Sequence, residues 1–479
     1  MKLFSTLRLS LFLLVLSIFP SCTAPIGGGY AGGGTINGVP EFPREFRGAW
    51  SACVYNIDWP SSRGLSASTQ KGQLISILNK MQSMNMNALI FQVRPHADSV
   101  YRSNIEPWSH WLSGTMGRSP GYDPLEFCIQ QAHARGIEVH AWFNPFRALS
   151  NASQATSSNH ITRTKPYLIK RYANYKWMDI SKSESRNIAQ NVILDVVNRY
   201  DIDGVHLDDY FYPYPKKGYG SFPDGKTPAQ RRSYVDSFVK GLYKGVKSRK
   251  PWVRVGISPF GIWRPNVPAG IEANVDAYQD LAADSRKWLA NGWVDYMMPQ
   301  LYWRDYPAKQ SYSALLSWWR AQGSRPVWPG IATSRINSSD DPGRPASEIT
   351  RQVALSRQIG RNWNGHAHWS VKALMQNRGG VSSALSRSAY GTPALVPPMP
   401  WLYSKAPAAP TSVYRRGSSV SWSTSGASRV AIQVYRAGQW LPYKVLPAYK
   451  GSVSLPAGVT AVAVRTVDRY GNTSIPVVN

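Results

Sequence analysis

Two adjacent carboxylates, Asp208 and Asp209, close the short stretch Asp203-Gly204-Val205-His206-Leu207 and run straight into Tyr210, Phe211 and Tyr212. Acids set beside rings that can stack on sugars fit glycoside hydrolysis. That reaction needs a carboxylic acid to protonate the leaving oxygen and a carboxylate to support the anomeric carbon, about 5–5.5 Å apart for retention and about 6.5–9.5 Å for inversion. Side chains alternate along a strand, so Val205 and Leu207 share one face, and His206 and Asp208 the other. Neighbouring acids do not readily flank one bond from opposite sides. Asp208 is therefore assigned the charged role at the anomeric carbon. Asp209, or a loop acid such as Glu106 or Asp98, is assigned the proton. The plainer reading, a solvated acid pair at a strand end, has to be weighed against the rest of the chain.

Strand-like segments at 46–50, 87–94, 137–143, 203–207, 253–257, 294–302, 327–333 and 365–371 alternate with helical patterns. The helical patterns cover 70–84, 123–135, 184–200, 228–248, 279–291, 311–322 and 346–359. This alternation predicts a (β/α)8 TIM barrel over residues 44–390, whose active site belongs at the C-terminal strand ends. An open doubly wound sheet competes, but no glycine-rich dinucleotide turn supports it. The same strand ends carry Arg94, His96 and Asp98, with Glu106 in the loop beyond, and Asn144 and Arg147. Farther round stand Ser258, Trp263 and Arg264, then Gln300, Tyr302, Trp303 and Asp305, then His366 and His368. Each lone His or Arg reads equally well as a structural contact; their concentration at one end of successive strands is the stronger sign. Long loops after the second, third and fourth strands add Trp108, Trp111, Tyr172, Tyr175, Trp177, Tyr214 and Tyr219.

The apolar run Leu9–Phe19 follows Lys2 and Arg8 and is too short to span a bilayer, so residues 1–22 read as a lipoprotein signal with Cys22 acylated. Residues 23–43 read as a Gly-rich tether, and 391–411 as a Pro-rich linker. Period-two alternation with regular glycines over 412–479 predicts a small fibronectin- or immunoglobulin-like β-sandwich, separable from the barrel. Cys128 reads as a buried thiol in a helix; a disulfide with Cys53 stays open. The net charge of +28 draws polyanions. RNA-binding and zinc-finger signatures are lacking, so an anionic wall polymer or membrane surface fits better than nucleic acid. No metal-ligand Cys/His spacing is present.

Several long motifs resemble the bacterial glycosyl-hydrolase-like ten family. They are Phe46-Arg47-Gly48-Ala49-Trp50 with Asn56-Ile57-Asp58-Trp59-Pro60, then Phe91-Gln92-Val93-Arg94-Pro95, and Pro120 to Leu125. His140 to Arg147, Asp203 to Tyr212, Ser258 to Arg264 and Asp295 to Trp303 continue the pattern, which covers about residues 44–375. The resemblance implies a barrel hydrolase without metal or organic cofactor, acting on peptidoglycan glycan strands denuded of stem peptides. It makes Asp208 and Asp209 the catalytic positions and brings His140, His206 and Tyr210 into the substrate-binding set. The basic charge and the C-terminal sandwich depart from the family pattern. They leave room for another amino-sugar exopolysaccharide as substrate, or for a non-catalytic wall-binding lipoprotein.

Overall fold

Eight short parallel strands carry the architecture: β1 (Phe46–Ser51), β2 (Ala88–Arg94), β3 (Glu138–Phe143), β4 (Gly204–Leu207), β5 (Arg254–Ile257), β6 (Tyr296–Met297), β7 (Gly330–Ile331) and β8 (Gly365–His368). The computed structural model describes residues 35–360 and 362–479, so the signal segment and Cys22 lie outside the described residues. The ladder runs β6-β5-β4-β3-β2-β1-β8-β7, and isolated parallel bridges, Met297 to Val327 and Gln300 to Gly330, join its two ends. Six longer helices cover it: α1 (Ala67–Ser83), α2 (Pro124–His133), α3 (Ser183–Arg199), α4 (Pro228–Arg249), α5 (Tyr312–Arg320) and α6 (Ala346–Gly360). Their starts follow local chemistry. The Thr227 hydroxyl accepts from the Gln230 backbone N–H and Gln230 returns the bond, a capping box with Pro228 in the first turn.

Two expected strands and one expected helix are shorter than the sequence suggested. The ladders of β6 and β7 hold two residues each, because Pro299 and Pro329 lack the N–H that would extend them. The helix expected over 279–291 is two pieces, Ala277–Asp280 and Ser285–Ala290, parted by Ala282 with φ of 54°. A left-handed alanine gives no warning in sequence.

Strand alternation divides the core. Val205 and Leu207 belong to the outer core, which also takes Val235, Phe238 and Val239 of α4. Phe46, Trp50, Trp142, Tyr296 and Trp328 fill the barrel. Gly256 is required there: a Cβ on it would lie 1.9 Å from the Tyr296 ring. That clearance lets the Tyr296 hydroxyl reach Nδ1 of His140 at 2.8 Å and Nδ1 of His206 at 3.0 Å.

The C-terminal part is two antiparallel sheets of three and four strands sharing a core of Val420, Trp422, Val430, Ile432 and Val464. It meets the N-terminal strand ends, the foot of the barrel. Arg429 donates to Glu138 at 3.0 Å and to Asp203 at 3.1 Å. The Pro-rich segment is packed: Leu395 exchanges backbone bonds with Pro43 and Glu45, and Leu395, Val396 and Met399 are buried. The described end of the expected tether is packed too, since the Gln433 amide donates to the Pro40 carbonyl at 3.0 Å. Cys53 and Cys128 are both free and buried.

Candidate active site

At the opposite, C-terminal end of the barrel, Asp208 and Asp209 follow β4 and are nearly inaccessible to solvent. Asp208 Oδ2 accepts from the Asn144 amide at 2.6 Å, and its Oδ1 from the Tyr210 backbone N–H at 3.2 Å. The Tyr214 hydroxyl donates to Asp209. Burial, then the neighbouring charge of Asp209, push Asp208 up to about 7 against the pull of Arg147. Burial also raises Asp209, opposed by Tyr214, Gln300 and Arg147. Two buried like charges this close cannot both ionise freely. The pair therefore keeps a proton near neutral pH.

Gln92 at the end of β2 sets this arrangement. Its carbonyl accepts from the backbone N–H groups of Cys53 and Val54, both at 3.0 Å. Its amide donates to Asn144 Oδ1 at 2.8 Å, which turns the Asn144 amide toward Asp208. Below, His206 shares its ring nitrogens among Tyr296, Ser258 and Trp50, and burial keeps it neutral.

A cavity of about 290 Å³ lies over the acids, lined by Trp50, Tyr55, Trp142, Tyr302 and Trp369 together with Arg147, Tyr210 and Gln300. Tyr55, Arg147, Tyr210 and Tyr214 also border a second cavity of about 350 Å³, and Tyr55 and Ser150 a third of about 470 Å³. The three adjoin along the rim, with Tyr55 lining each of them. Tyr55 stands where they meet and is 58% exposed, a ring placed for stacking.

Of the residues expected from sequence, Asp208, Asp209, Arg147, Tyr210, Gln300 and Tyr302 meet at this cavity, with Asn144 behind them. Others lie apart. Glu106 is clamped by Arg94 through bonds of 2.7 and 2.5 Å, and Arg94 also holds the Asn144 carbonyl, so both are committed to structure. Asp98 is buried beside His96 and His110. His140 lies lower in the barrel, between Tyr296 and Glu138. Trp263 stacks on Trp318 at 5.8 Å and Trp303 meets Phe260 edge-on at 5.6 Å; neither borders the cavity. His366 and His368 bond to Tyr390, Arg264 pairs with Asp276, and Asp305 accepts from the Ser313 backbone N–H in the first turn of α5. Sequence reasoning missed Gln92, Trp50, Tyr55, Trp142 and Trp369 as parts of the site, although Trp50, Gln92 and Trp142 stand in the family motifs; Tyr55 lies in the turn beyond β1 and Trp369 just past β8.

A barrel with a buried carboxylate pair at its C-terminal rim and aromatic rings along the groove has the build of a glycosidase. Residues 45–342 match Glycosyl hydrolase-like 10, and the chain belongs to this family. It is 41% identical over 389 residues to the glycosyl hydrolase YngK of Bacillus subtilis, covering 77% of this chain and 76% of that one. It is 34% identical over 310 residues to the glycosyl hydrolase DigH of Escherichia coli K12, covering 58% and 70%. Among solved structures, the glycoside hydrolase domain of PgaB (BpsB) from Bordetella bronchiseptica aligns over 72% of this chain and 98% of that one, at 12% identity and a TM-score of 0.48. The protein is a glycoside hydrolase.

Proposed function

We propose that the protein cleaves glycan strands of peptidoglycan, with preference for strands denuded of stem peptides, and that the 2-acetamido group of the sugar takes part. The observation that carries the mechanism is the acid inventory of the cleft: Asp208 and Asp209 are the only carboxylates among the described residues lining it. Both follow the same strand, so no carboxylate waits on the opposite face of the sugar. An acetamido carbonyl oxygen supplies the missing nucleophile, as in substrate-assisted glycosidases. Asp208, the acid held protonated near neutrality, gives its proton to the leaving oxygen as the carbonyl oxygen closes on the anomeric carbon. Asp209 stays charged and holds the acetamido N–H. Water then opens the cyclic intermediate, losing its proton to Asp208. This reverses the roles expected from sequence.

The long groove suits a polymer, and the excess of basic residues suits an anionic wall. The protein lies outside the cytoplasm, held to a membrane through lipid on Cys22. Denuded strands, prepared by amidase treatment of sacculi, should release oligosaccharides identifiable by mass spectrometry, and untreated sacculi far less. Equal release from both would end the denuded-strand preference. Release from another amino-sugar polymer alone would redirect the substrate.

A further inference from the structure

Beside the groove, away from the acid pair, the loop after β2 buries His96 and Asp98 with their polar atoms unpartnered, next to His110, whose Nδ1 takes the Gln154 amide, and the Ser109 hydroxyl. Neither ring nitrogen of His96 has a hydrogen-bond partner among the described residues, and neither oxygen of Asp98 has one. Both residues are fully buried. Nδ1 of His110 lies 3.9 Å from Oδ2 of Asp98. One donor atom from each of the three fits within 4.8 Å of the others. Buried polar atoms are nearly always satisfied, by protein, water or an ion.

We propose that His96, Asp98 and His110 form a binding site for a divalent transition-metal ion, Zn²⁺ by preference. Two imidazoles and a carboxylate are the donor set that zinc accepts, and imidazole favours it over magnesium or calcium. A tetrahedral ion with bonds of about 2.0–2.1 Å would draw the donors to about 3.3 Å, a small contraction. His160, whose Nε2 is also buried without a partner, is not among the donors that converge, so a water would complete a four-coordinate shell. Arg147 also faces the cluster and works against a cation, and the Gln154 amide, 3.0 Å from His110 Nδ1, would have to share that ring. His110 borders the third cavity of the groove, which gives an ion its way in.

The site has a mechanical consequence. Trp111, next to His110, meets Tyr55 edge-on at 5.2 Å, and its carbonyl accepts from Asn56 at 3.0 Å. An ion holding His110 would hold the aromatic wall of the groove through Trp111, at a distance from the acids. Metal loss should therefore raise KM for a polymer more than it lowers kcat.

The test uses the full chain, stripped with a chelator and titrated with Zn²⁺ by calorimetry and elemental analysis, with Co²⁺ as a coloured probe. Stoichiometric uptake, a higher melting temperature and the intense visible bands of four-coordinate Co²⁺ are expected. Asp98→Asn and His110→Gln should lose all three while keeping their circular dichroism. Failure of the wild type to bind either ion would overturn the site and show a water-bridged polar cluster instead. Stoichiometric binding retained in both variants would also overturn it, placing the ion elsewhere. If the variants misfold, the wild-type titration and Co²⁺ spectrum decide. None of these readouts requires hydrolysis, so the outcome is independent of the proposed substrate.

Discussion

The Asn144 side-chain amide donates to Oδ2 of Asp208 at 2.6 Å. Because Gln92 fixes which end of Asn144 is presented, this bond aims the carboxyl as well as pairing it. A hydrogen bond to an uncharged partner contributes about 0.5–1.5 kcal/mol. Asn144→Ala should therefore lower kcat by roughly twofold to tenfold, with KM little changed. Steady-state kinetics on soluble glycan would check this, and an unaltered kcat would remove Asn144 from the mechanism.

Asp208→Asn and Asp209→Asn should separate by leaving group. On polymer, each should cost roughly a thousandfold or more, about 4 kcal/mol of transition-state stabilisation. An aryl glycoside of N-acetylglucosamine with a good leaving group needs no proton. It should restore much of the rate to Asp208→Asn and little to Asp209→Asn. The same partial recovery in both variants would contradict the division of roles.

The raised Asp208 predicts two pH effects. If Asp208 must be protonated to act, kcat/KM should fall as pH rises through about 7. Its folded pKa lies above the unfolded value of about 3.9, so its contribution to stability is complete below that value and is lost as pH rises through about 7. Between pH 5 and 8 the wild type should lose more melting temperature than Asp208→Asn, by a few degrees. Parallel melting curves would sink the assignment of the proton to this pair.

Arg429 predicts that barrel and sandwich stand together. It is 14% exposed, and it serves Glu138 and Asp203 at once. Burial works against the charge on both acids, and cationic neighbours, Arg429 among them, overcome it and hold them low. Arg429→Ala should cost about 3 kcal/mol, since it strands charges in a largely buried place. The loss should be full at neutral pH and shrink as pH falls below the ordinary carboxylate range, through the depressed values of the two acids. Denaturant melts across pH would show it. Deletion of residues 397–479 should destabilise the barrel for the same reason; a deletion variant as stable as the whole chain would restore the separable units expected from sequence.

Cys22→Ala should abolish incorporation of labelled palmitate. Labelling equal to the wild type would rule out the lipid anchor.

What the sequence made legible was local. The alternation of Val205, His206, Leu207 and Asp208 put His206 and Asp208 on the inward face, because strand parity needs no knowledge of the partner strands, while Asp209, past the strand end, was left free to turn either way. Helix boundaries such as Pro228 came through for the same reason. What stayed hidden depends on meetings in space. Nothing in the spacing of Arg94 and Glu106 shows that they clamp each other, and His96, Asp98 and His110 converge through a loop with no period. The packing of Leu395 against Pro43 and Glu45 is equally non-local, so its prolines read as a free linker.

The chain joins the folded body at the foot of the barrel, where Pro40 lies against Gln433, while the acids open at the other end of the same parallel strands. Entry and cleft are thus at opposite poles.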